Sequence, residues 1–136
     1  MNDSLKHGPL LGIFSFALLC IQTMWLNEWN SYIRWTADNL IGLGLVLFII
    51  KSINRAYFPF SFAFFSGFNV LFVTIAVKGI LMLIFKDWIM LEVPDGISGS
   101  KWLGYSVFRE SLSHFVIGIA TVTLLSWLLM KKRMKL

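Results

Sequence analysis

The chain has 136 residues, of which 57% are hydrophobic and 14% charged, with a net charge of +5. A single domain of this length buries only about two-thirds of its chain surface, so a water-soluble globule could not hide so much apolar side chain. The solvent for the excess is lipid, and nucleic acid is not an expected partner, because the basic residues lie between and after apolar runs rather than in a patch interleaved with aromatics.

Residues 1–7 read as a short polar tail with Asp3 and Lys6, and the first span covers 10–29, closing on Trp25 and Trp29. Cys20 is the only cysteine, which excludes an intrachain disulfide or a thiol redox pair. The residues around it form neither a lipidation box nor a small-x-small cleavage site, so this run is expected to be a retained helix. A polar connection, 27–36, follows with Trp29, Tyr32 and Trp35, the aromatic signature of a membrane interface. The second span covers 35–53, with Lys51 and Arg55 at its far end.

The third span, 58–85, has Lys78 as its only charge, and Pro59 fits its first turn. As one helix it would be ~42 Å long against a hydrocarbon core of ~30 Å. It therefore either projects outward or breaks, and Gly79 is the place for a break. Pro94-Asp95-Gly96, with Gly99 beyond it, marks a loop. The last span covers 107–130 and stops at a basic tail, Lys131-Lys132-Arg133-Met134-Lys135.

The expected fold is all-α: a single integral membrane domain, 1–136, forming a four-helix bundle. With both termini in the cytoplasm, Lys6, Lys51, Arg55 and the four tail cations lie inside, against Arg34, Lys86, Lys101 and Arg109 outside. The positive-inside rule favours that orientation.

Counted from the apolar edge of each helix, Lys78, Glu110, His114, Asp38 and Gln22 converge on one depth in the outer leaflet. Each also shares a helix face with small residues: Ala63, Gly67 and Thr74 with Lys78; Gly118 and Thr121 with Glu110 and His114; Gly8, Gly12 and Ser15 with Gln22; Gly42 with Asp38. Small residues mark helix–helix contact in lipid, where close backbone approach replaces hydrophobic drive. These five side chains therefore point into the bundle as a candidate intramembrane polar cluster.

Lys78 is read as an ion-pair partner of Asp38 or Glu110, as a lysine reaching for the interface, or as a substrate-binding cation. Glu110 and His114, spaced i, i+4, suit proton relay or metal binding, or simple pairing at a helix end. Two ligands make an incomplete metal site, and no metal or cofactor is expected. Asp38 is most simply the N-cap of the second helix. Arg109 lies off the polar stripe and meets headgroups, while Asn69, near the midplane, can hydrogen-bond across helices. No Ser/His/Asp set, paired carboxylates or phosphate-cradling glycine loop is present, so the chain is not expected to be an enzyme; a membrane enzyme would have to work through His114.

Gly8-Pro9-Leu10-Leu11-Gly12, Phe58-Pro59 at the head of the third helix, Arg109-Glu110-Ser111 early in the last, and Trp127 followed by the basic tail form a set. In these the chain resembles a family of small four-helix bacterial inner-membrane proteins of unknown function, although the family's Gly-Gly-Trp opening is absent. The resemblance implies a bacterial inner membrane and four helices. The expected function is non-enzymatic, through protein or lipid partners or self-association, in an accessory, envelope-stress or immunity-type role. The alternative is a small transporter or channel whose outward-facing polar cavity is lined by Lys78, Glu110 and His114.

Overall fold

A computed structural model describes residues 2–25, 31–53, 58–89 and 95–130. Glu28, Trp29, Arg55, Glu92 and the basic residues after Met130 lie outside the described residues, as do the side chains of Asp3 and Trp25. The fold is a four-helix bundle: α1 (Asn2–Trp25), α2 (Ser31–Ile53), α3 (Phe60–Ile84) and α4 (Gly99–Leu129). A 3-10 turn, Lys86–Ile89, follows α3 and packs on α1. Among the described residues, three helices are long and apolar enough to cross a membrane: α3, α4 and the Tyr32–Ile53 part of α2.

Several helix boundaries differ from the sequence reading. Residues expected to form a polar tail are helical from Asn2, and Pro9 lies inside α1. Pro59 is the N-cap of α3 rather than part of its first turn, and its carbonyl accepts the Ala63 N–H at 3.1 Å. The helix runs unbroken through Gly79 to Ile84, where the Phe85 N–H closes the last turn on Leu81. The excess length is shed at the ends instead. α4 begins at Gly99, well before Val107, because Ser98 caps it by accepting the Lys101 N–H at 3.3 Å. Gly96, at φ +84°, makes the turn before that cap, a conformation that glycine adopts without strain.

Glycines set the spacing between helices. Gly8 lies against Val73 and Gly12 against Val77, so α1 and α3 run parallel in close contact. Gly67 faces Val122 and Gly118 faces Leu71, bringing antiparallel α3 and α4 together. Gly42 receives Leu11, which joins α1 to α2. α2 packs chiefly on α4, and α3 chiefly on α1 and α4. The pairing of Gly8 with Val73 also fixes an offset. Measured along the axis, α1 begins about 10 Å short of the Phe60 end of α3 and projects past its other end by a similar amount.

The core has two apolar parts. One gathers Leu43, Val46, Leu47, Ile50, Phe58, Ala63, Val70, Leu71 and Val122; the other, smaller, gathers Phe16, Leu19 and Met82. Between them, along α3, lie Thr74 and Lys78.

Candidate functional site

The level between the two apolar clusters is polar. Glu110 of α4 is its centre, and one carboxylate oxygen, Oε1, accepts from three donors. These are the Arg34 guanidinium, the Trp35 indole N–H at 2.8 Å and the Lys78 ammonium at 2.9 Å. Lys78 Nζ also lies 3.4 Å from His114 Nδ1. Arg34, Lys78 and His114 are each 2% exposed and Glu110 13%, so the group is enclosed by protein. Charge-assisted hydrogen bonds of this kind are stronger than neutral ones, and exclusion of water strengthens them further.

Asp38 supplies the second carboxylate. It is buried in the second turn of α2, accepts a short hydrogen bond from the Ser15 hydroxyl of α1, and feels the positive charges of both Lys78 and Arg34. Two cations thus face two carboxylates, and the formal charge of the layer is balanced. Buried ion pairs are tolerated only when nearly every charge is compensated in this way. Thr74 continues the layer toward α1: its hydroxyl donates to the Val70 carbonyl at 2.7 Å and lies 3.3 Å from the carbonyl of Gly8.

Of the five residues expected to cluster, the structure brings Lys78, Glu110 and His114 into direct contact and places Asp38 beside them. Gln22 is half-buried about two turns beyond Ser15 along α1, and the hydrogen bonds described around Glu110 and Asp38 do not include it. The offset of α1 puts Ser15, not Gln22, at the level of Asp38. Asp38 is not an N-cap, because α2 starts earlier, at Ser31. The early start also carries Arg34 and Trp35 into the bundle, although the sequence reading leaves them in an interfacial connection. Asn69 is exposed on α3 and makes no hydrogen bond to another described residue. Arg109 is likewise exposed.

The chemistry open to this layer is limited. Among the described residues, no three His, Cys, Asp or Glu side chains come together as a metal site would require. Arg34 Nε and Asn39 Oδ1 are buried without a hydrogen-bond partner. The Asn39 amide nitrogen is taken by the Trp35 carbonyl at 2.8 Å, and Oδ1 lies 3.0 Å from where a side chain at position 118 would begin. No protein-family model, no curated protein and no solved structure matches this chain.

Replacing Ser15 with alanine tests whether α1 is held through this layer. The variant leaves an Asp38 oxygen buried without its donor, and a cost of about 1.5–3 kcal/mol is expected for a charged acceptor. Unfolding in mixed micelles on titration with sodium dodecyl sulfate measures it. Thr23→Ala is the control, since Thr23 only returns its hydroxyl to the Cys20 carbonyl within α1.

Proposed function

We propose that this chain is a multi-pass protein of the bacterial inner membrane that acts, without catalysis, through lateral contact with protein or lipid partners. The observation that carries the reading is that the buried charges balance: Arg34 and Lys78 both pair with Glu110, and Asp38 is buried beside them, so two cations are set against two carboxylates. In lipid such a group locks helices together, while the wide apolar exterior, rich in aromatics along α3, is left for neighbours. The landmarks Phe58-Pro59 and Arg109-Glu110-Ser111 support the same assignment through the family they resemble.

The proposed orientation has both termini in the cytoplasm. Lys6 sits on the part of α1 that falls short of the Phe60 end of α3, and Arg34 is neutralised inside the bundle, so neither counts toward topology. Lys51, Arg55 and the four tail cations then oppose Lys86, Lys101 and Arg109, the same excess of three cations as in the sequence count. Reporter fusions after Gly96 and at the C-terminus should read as outside and inside, respectively.

A small transporter is the second reading, favoured by the buried, unpartnered Arg34 Nε and Asn39 Oδ1, which a passing polar solute could satisfy. The two readings part in reconstituted liposomes. The purified protein is expected to leave proton, sodium and chloride permeability at the level of empty vesicles. Flux above that level that is lost in Lys78→Met, with the variant still folded, would establish the transporter instead.

A further inference from the structure

Several polar side chains on the exposed faces of the helices are satisfied within their own helix. The hydroxyls of Thr36, Ser52 and Thr123 are exposed, and each donates to the carbonyl four residues earlier, at 2.7, 2.8 and 2.8 Å. The Asn69 amide has no such bond: it is exposed on α3, and no described residue pairs with it. It lies three residues, about 4.5 Å, from the midpoint of the helix, so in a membrane it stands in hydrocarbon, where unpaired polar groups are costly.

The residues around it are spaced as a helix–helix seam. Phe62, Phe65, Asn69, Phe72, Ala76, Ile80 and Leu83 are all exposed, and they follow one another at steps of three or four. That is the repeat of a supercoiled pair, and a single Asn in such a seam sets register and partner number. From Phe62 to Leu83 the stripe runs about 32 Å, the full thickness of a hydrocarbon core.

We propose that α3 pairs with α3 of a second copy along this stripe, with the two Asn69 amides hydrogen-bonded across the dimer axis. A second copy is favoured over an unrelated helix for two reasons. An amide is both donor and acceptor and so complements itself. Copies that share one membrane topology can pair α3 only in parallel about an axis normal to the bilayer, which brings each residue opposite its own mate. Ala76, one heptad after Asn69, leaves room for the backbones to approach as the small residues inside the bundle do.

The inference rests on the membrane reading above, and the test separates the two. In a Cys20→Ser background, Ala76→Cys is oxidised in native membranes, beside Val116→Cys on the exposed face of α4. Disulfide-linked dimer is expected at position 76 and not at 116. Dilution of donor- and acceptor-labelled full-length protein in liposomes then gives the dimer dissociation constant. Asn69→Leu is expected to weaken it about three- to thirtyfold, with Asn69→Gln retaining most of the affinity. Asn69 faces outward, so folding is not at stake in these variants. If the protein resists alkaline carbonate extraction yet position 76 does not cross-link, or links only to a different protein, the seam is wrong and the membrane reading stands. Equal affinity of Asn69→Leu and wild type also overturns it. If carbonate releases the protein, the membrane reading and the seam fall together.

Discussion

Glu110→Ala should prevent the protein from accumulating in membranes, or leave it about 3–5 kcal/mol less stable. That is the range for removing one partner of a buried ion pair. Its side chain takes hydrogen bonds from Arg34, Trp35 and Lys78, and without it two buried cations face Asp38 alone. Lys78→Met removes the opposite charge and should be destabilising by itself, since it leaves the two carboxylates facing Arg34 alone. The double variant Lys78→Met, Glu110→Ala restores neutrality, and its loss of stability should be well below the sum of the two single losses. The coupling energy from that cycle is the quantity to measure, by detergent unfolding of all four proteins under one condition. Additive single effects would mean that the two side chains do not act on one another. Glu110→Ala that unfolds like wild type would mean the charged layer holds nothing together.

Gly12→Leu should detach α1 from α3, and even Gly12→Ala should cost about 1–3 kcal/mol, as overpacking does. A Cβ built at Gly12 falls 2.7 Å from the Cβ of Val77 and 2.9 Å from the Thr74 carbonyl oxygen. Neither atom can rotate away, so the backbones must part. Gly118→Ala meets the two methyls of Leu71 instead. Those lie at the end of a rotatable side chain, and a smaller penalty follows although Leu71 is fully buried. Gly79→Ala is the control: its Cβ would meet only ordinary contacts at 3.8 Å with Ser111 and Val107. It should change stability by no more than about 1 kcal/mol, the scale of helix propensity. Equal effects at positions 12 and 79 would show that close approach of α1 and α3 is not what the glycines provide.

Lys78, Glu110 and His114 were legible in the sequence because two independent counts, depth from an apolar edge and position on a helix face, agree for α3 and α4. Those counts failed where a helix edge does not coincide with an apolar edge. α2 starts at Ser31, inside a stretch whose tryptophans and charges read as interfacial, and Arg34 was assigned to the wrong side of that boundary. A signal was present: Arg34 and Asp38 stand at i, i+4, as do Trp35 and Asn39, so two polar pairs continue the inward face of α2 by one turn. Gln22 failed for a different reason. The register of α1 is decided by Gly8 and Gly12 settling onto Val73 and Val77, a matter of shape between two surfaces that hydropathy along one of them does not encode. Ser15, too small to stand out among its apolar neighbours, takes the place that depth counting assigned to Gln22.

The charged layer also imposes an order on biosynthesis. Arg34 and Lys78 are both made before Glu110, which arrives only with the final helix. If the chain spans a membrane as proposed, a nascent chain that has released α2 and α3 into lipid without α4 carries two cations against Asp38. On that reading the first three helices gain by staying together until α4 emerges and closes the group.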